Sequence, residues 1–422
     1  RFVVRYGSVI ILPRGQDRGA HWRLRGKVCG ARMTKTVRQL SDDRPGAHLT
    51  HSQVVMGQRT KRASTTKKAM TAVDLFSGCG GLSCGLQEAG FRVVAAVEID
   101  EKAQSTYELN HPQVQLFKQD IRQISALDVM RATELRPGDL DLLAGCPPCQ
   151  GFSRLRTKNQ KTYVQDERNS LVSHFLRFVK EMNPKTVMLE NVPALGRDGR
   201  FTRMKNQLIA LGYKVVVHVL DAADYKVPQR RKRLIMLASR VGTPSIAPAS
   251  TERVTVRQAL HGLSAPSRTK DELHRVRENR SQAVRDLISL IPKDGGSRSD
   301  LGPEYQLACH LRSDGFKDVY GRMKWDDVSP TITSGCHNPS KGRFLHPSRN
   351  RTITLREAAV LQGFPRDYRF DISHGKESIA LMIGNALPPP FIAAHAGSLR
   401  AGLLAARRRV QTIASPCKRT RK

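Results

Sequence analysis

Acidic residues are scarce in this chain. Its 422 residues hold 37 Asp and Glu against 71 Lys and Arg, a net charge of +34. That balance excludes little about fold but favours a polyanionic partner. Aromatic residues are also few, at 5%. Eight cysteines in so long a chain do not make a disulfide framework, so reduced thiols are expected. No apolar run reads as long enough to span a bilayer, and the stretch from Val3 to Leu12 is broken by Arg5, which makes a poor signal peptide. These shortages predict a soluble, cytoplasmic protein with no membrane partner.

The positive charge is not confined to the ends. Residues 1–70 carry +13 and residues 406–422 carry +7, which leaves +14 between them. Residues 1–70 show no sustained period of 2 or 3.6 and begin with Arg. They read as a disordered basic extension or a misassigned start, with Met33, Met56 and Met70 as alternative starts. Residues 406–422 read as a basic tail.

Between 71 and 241 short apolar runs alternate with helical spacing. "TAVDLF", "RVVAAVEID", "VQLFKQDI", "DLDLLAG", "TVMLEN", "KVVVHVLDA" and "RLIMLAS" read as strands, and "NSLVSHFLRFVKEMNP" as an amphipathic helix. This alternation predicts an α/β fold: a mostly parallel, doubly wound, Rossmann-like sheet with helices on both faces. Ligands of such sheets lie at the carboxyl ends of the strands. Residues 242–344 are rich in Pro, Ser, Gly, Arg and His and read as a small irregular domain. Helical character returns in 345–405, expected to pack back on the first domain.

The strand ends carry the chemistry. "DLFSGCGGLSCG" sets Gly78, Gly80 and Gly81 between a strand and a helix, where backbone amides can approach a ligand. The next strand ends at Glu98, an acid placed for ribose hydroxyls, and Asp120 is placed for an adenine amino group. The glycine spacing is not that of a dinucleotide site. A ribose without a phosphate cradle suits S-adenosylmethionine (AdoMet). "GCPPCQGFS" brings Cys146 and Cys149. Zinc needs about four ligands, and Cys79 and Cys84 already belong to the glycine turn, so no metal is expected. Cys149, further out on the loop, is expected as a nucleophile and Cys146 as a spectator. Glu190 in "MLENV", with Arg231 and Arg233 in "VPQRRKRL", would converge on Cys149.

Together these segments, with "TLREAAVLQGFP" and "IGNALPPP", resemble the bacterial-type DNA (cytosine-5) methyltransferase family in the family's own order over about 71–405. The resemblance implies methyl transfer from AdoMet to C5 of a cytosine flipped out of a specific double-stranded DNA site. It implies that Cys149 adds to C6, that Glu190 bonds N3 and the exocyclic amine, and that Arg231 and Arg233 steady the base. Phe76, Gly78, Gly80, Gly81, Leu82, Glu98, Ile99, Asp120, Pro148, Leu171, Asn385 and Ala386 would line the AdoMet site. Ser153, Arg154 and Arg156 would touch DNA, and 242–344 would recognise the target. Cys146 and Ile99 depart from the family's usual apolar and aromatic residues. A monomer at the nucleoid is expected, with a cognate restriction endonuclease as a companion. The alternative is a tRNA cytosine-5 methyltransferase.

Overall fold

The computed structural model describes residues 69–148, 171–276, 278–306 and 318–414. Cys149, Ser153, Arg154 and Arg156 lie outside them.

Seven strands form one sheet: β1 (Thr71–Leu75), β2 (Arg92–Val97), β3 (Gln115–Phe117), β4 (Leu142–Gly145), β5 (Thr186–Asn191), β6 (Lys214–Asp221) and β7 (Lys232–Ser239). Their spatial order is β3-β2-β1-β4-β5-β7-β6. β1 to β5 run parallel, and β7 runs antiparallel between β5 and β6. The mostly parallel sheet read from the sequence is therefore present. Residues of β1, β4 and β5 are buried throughout, as expected for strands covered on both faces.

The helices follow from spacing and caps. α1 (Gly81–Glu88) and α2 (Glu101–Asn110) cover one face, and Asp100 caps α2 by accepting from the Lys102 and Ala103 amides. α3 (Ala126–Ala132), α4 (Leu171–Met182) and α5 (Gly199–Ala210) cover the other. In α4, Val172, Phe175, Leu176, Val179 and Met182 repeat at three- and four-residue intervals and are all buried. Two apolar clusters sandwich the sheet. One gathers Val73, Leu75, Phe175, Leu189 and Met204, and the other Ala72, Leu86, Tyr107, Phe391 and Leu399.

Within 242–344 no strand forms among the described residues. Short helices α6 (Val256–Leu260), α7 (Glu272–Arg275) and α8 (Gln282–Leu290) alternate with turns. The buried Arg322 guanidinium ties this region together by donating to the Ile288, Ile291 and His346 carbonyls. α9 (Leu355–Gln362) begins with a capping box between Thr354 and Glu357. It is followed by α10 (Gly375–Asn385) and α11 (Pro389–Ala414). α11 lies on α1 so closely that a Cβ on Gly85 would sit 2.5 Å from the Pro389 carbonyl. The sequence reading found no run of membrane-spanning length. The stretch Ile372–Arg409 nevertheless holds an 18-residue window of mean hydropathy 1.3, and 67% of that window is buried inside the protein. Its apolar side chains serve the core.

Candidate active site

The functional strand ends share one edge of the sheet. In the parallel strands this is the carboxyl edge. Because β7 is reversed, its first residues reach the same edge, and Glu190 and Asn191 pair with Ile235 and Leu234. This is why Arg233, the second residue of β7, can meet Glu190 near the end of β5.

At the end of β1 the chain turns through Phe76 and Gly78, with φ of 64° and 55°. The Gly78 amide donates to Glu98 Oε2 at 2.7 Å, and the Ile99 and Asp100 amides donate to Oε1 at 2.9 and 2.8 Å. Burial pushes the Glu98 carboxyl up, and these three amides oppose it. A carboxylate offers about four acceptor sites, so capacity remains for a ligand diol. The space beside Gly78 is open, with nothing within 4 Å of a Cβ placed there. Ile99 beside it is 60% exposed and offers an apolar face. Open space, a seated acid and an apolar face fit an adenosine group such as AdoMet's. Asp120 has a protein partner of its own. It accepts from the Arg122 amide and guanidinium at 2.6 to 2.9 Å, which holds its carboxyl below the usual range.

Gly80 and Gly81 face protein. A Cβ on Gly81 would lie 2.5 Å from the Leu387 carbonyl, and one on Gly80 would strike Tyr368 and His111. Leu82 is buried in the sheet's second cluster, while Phe76 and Leu171 both pack on the first. Asn385 is exposed at the end of α10, and Ala386 is buried near the glycine turn. Ala386 and Leu387 thus lie against the glycine turn that follows β1.

Glu190 forms a second centre. It is 2% exposed, and Oε1 lies 2.9 Å from Arg233 Nε. Burial raises its pKa; Arg233, Cys146 and Arg231 draw it back. The Cys146 thiol donates to Oε2 at 3.1 Å, so the residue expected as a spectator touches Glu190. Arg231 is buried and donates to the carbonyls of Ile332, Gly384 and Ala386. Its guanidinium therefore also clamps the segments before α9 and after α10. Gln229, fully buried, does similar work: it donates to the Leu361 carbonyl and Gln362 Oε1 and accepts the Ile332 amide. Asn191 Nδ2 donates to the Pro147 carbonyl at 2.8 Å, fixing the turn in which half-buried Pro148 leads to Cys149.

Two supports escaped the sequence reading. Tyr368 holds the glycine turn from 289 residues away, with no local pattern to announce it. Asp74 and Ser83 lie beneath the turn, Ser83 Oγ being 2.6 Å from Asp74 Oδ2 and 2.7 Å from the Tyr107 hydroxyl. Burial pushes Asp74 up to about 7.

The family model for C-5 cytosine-specific DNA methylases matches residues 70–401. Type II methylase M.HgiDII of Herpetosiphon aurantiacus is 35% identical over 332 residues, 75% of this chain and 91% of that protein. Type II methyltransferase M1.HphI of Haemophilus parahaemolyticus is 35% identical, over 76% of this chain and 84% of its own. A solved structure of a DNA modification methyltransferase encoded in an E. coli prophage superposes with a TM-score of 0.61 at 25% identity, covering 80% of this chain and all of that one. With its strand-end carboxylates and arginines in this arrangement, the chain belongs to the C-5 cytosine-specific DNA methylase family.

Proposed function

We propose that this DNA (cytosine-5) methyltransferase works through Cys149, Glu190 and Arg233, on a cytosine within one specific double-stranded sequence. AdoMet, when bound, supplies an electrophilic methyl group on a sulfonium. The Cys149 thiolate adds to C6 of the flipped base, and the ring's electron density moves to C5. Glu190, protonated, donates to N3 and accepts from the exocyclic amine, so that charge pushed onto the ring is neutralised. Arg233 faces the ring carbonyl. After C5 is methylated, loss of its proton and departure of the Cys149 sulfur restore the aromatic ring. Arg231 acts on the base through the segments it clamps.

Glu98 and the amides around Gly78 hold the ribose, with Ile99, Asp120, Phe76, Pro148, Leu171, Asn385 and Ala386 around them. Ser153, Arg154 and Arg156 meet DNA phosphates, and residues 242–344 recognise the target. We place the enzyme at the nucleoid as a monomer, with a restriction endonuclease of the same specificity beside it.

The observation that carries this reading is the buried Glu190 carboxyl, set against Arg233 in a site whose neighbouring turn is tied down by Asn191. Burial pushes this carboxyl's pKa up, the direction an acid catalyst needs. The test is methyl transfer from labelled AdoMet to DNA by Glu190→Gln and Cys149→Ser. Glu190→Gln is expected to lower kcat by about 100-fold or more. Undiminished turnover by either variant would overturn its role. Transfer to tRNA and not to DNA would replace the substrate with the alternative.

A further inference from the structure

Cys146 has no part in the reaction as written, yet its thiol touches the acid at its centre. It follows β4 directly and is half-buried against the second cluster. Its Sγ donates to Glu190 Oε2 at 3.1 Å, while Arg233 Nε stands 2.9 Å from Oε1. The two oxygens of one buried carboxyl thus have two different partners, a thiol and a cation.

This matters because the terminal torsion of a glutamate is broad and roughly two-fold. One partner on one oxygen leaves the carboxyl plane free to swing. Partners on both oxygens fix the plane. We propose that Cys146 is a positioning residue for methyl transfer, its thiol setting the orientation of the Glu190 carboxyl towards the base. The proposal rests on the reading of Glu190 as the group that meets the cytosine ring.

A pH consequence separates positioning from mere packing. Among the described residues, the groups that set the protonation of Glu190 are Arg233 at the start of β7, Cys146 just beyond β4, and Arg231 just before β7. Burial raises Glu190, and the Cys146 hydrogen bond is one of the contributions that lower it. Loss of that bond raises it further. Glu190 acts protonated, so activity falls as pH rises through its pKa, and removing Cys146 moves this alkaline limb to higher pH.

The experiment compares kcat and kcat/KM for DNA across neutral to alkaline pH in the wild type and in Cys146→Ala, Cys146→Val, Cys146→Ser and Glu190→Gln, with AdoMet affinity measured alongside. Cys146→Val fills the space and so reports the lost hydrogen bond if the alanine variant fails to fold. We expect both apolar variants to lower kcat by about tenfold, at unchanged AdoMet affinity, and to shift the alkaline limb upward. Cys146→Ser, which keeps a donor, recovers both. Apolar variants with the wild-type pH profile, or a serine variant no better than valine, would overturn the proposal. An active Glu190→Gln would instead sink the reading of Glu190 itself.

Discussion

The Tyr368 hydroxyl donates to the backbone carbonyl of Cys79 at 2.5 Å, and His111 Nε2 lies 3.2 Å from the same hydroxyl. The glycine turn after β1 is therefore held by the segment after α9. Tyr368→Phe leaves a buried carbonyl without its donor, at a cost of about 1–3 kcal/mol. The variant should melt earlier and bind AdoMet about tenfold more weakly, with kcat on DNA nearly kept. Calorimetric titration with AdoMet and a thermal melt check this; wild-type affinity would show that the turn needs no such support.

The glycines of this turn should separate by substitution. Gly81→Ala drives a Cβ to 2.5 Å from the Leu387 carbonyl, a backbone atom that cannot swing aside. Overpacking of this kind costs about 1–3 kcal/mol and should loosen α11 from α1. Gly78→Ala meets open space but a φ of 55°, which costs roughly 1 kcal/mol for an L-residue. Its methyl would stand where the cofactor is expected. Gly81→Ala should lose mainly stability and Gly78→Ala mainly AdoMet binding. Equal losses of both properties in the two variants would contradict the assignment.

Asp74 gives the fold a pH dependence with a definite sign. Burial raises its carboxyl from 3.8 to about 7. Between those values the native state keeps a proton that the unfolded chain has lost. This group's contribution to stability therefore falls as pH rises from about 4 to about 7, by at most about 1.4 kcal/mol per unit, and is level above. Asp74→Asn removes this dependence. Denaturant unfolding at both ends of the window should show the variant gaining on the wild type as pH rises; parallel behaviour would exclude Asp74 as the source.

Much of this is legible in the sequence. Strands such as Thr186–Asn191 were marked by buried β-branched and apolar runs, and the glycine turn and Glu98 by their spacing of 20 residues. Those signals are local. The reversal of β7 was not legible, because antiparallel insertion leaves no trace in one strand's composition. Nor were the clamp of Arg231 on Gly384 and Ala386 or the thiol contact of Cys146, since both depend on which strand ends become neighbours. Arginines before a strand read as a motif; only the fold turns one to Glu190 and the other to the C-terminal segment.

Covalent catalysis by Cys149 on DNA underlies the proposed reaction. It is tested most directly by incubating the enzyme and AdoMet with DNA that carries 5-fluorocytosine at random positions, then running a denaturing gel. Fluorine at C5 cannot leave as a proton does, so the C6 thioether persists. The expected result is a protein–DNA band that withstands denaturation, disappears in Cys149→Ala, and yields one recurring sequence when the trapped DNA is read. A band that survives in Cys149→Ala, or no band with DNA that the enzyme is shown to methylate, would contradict it.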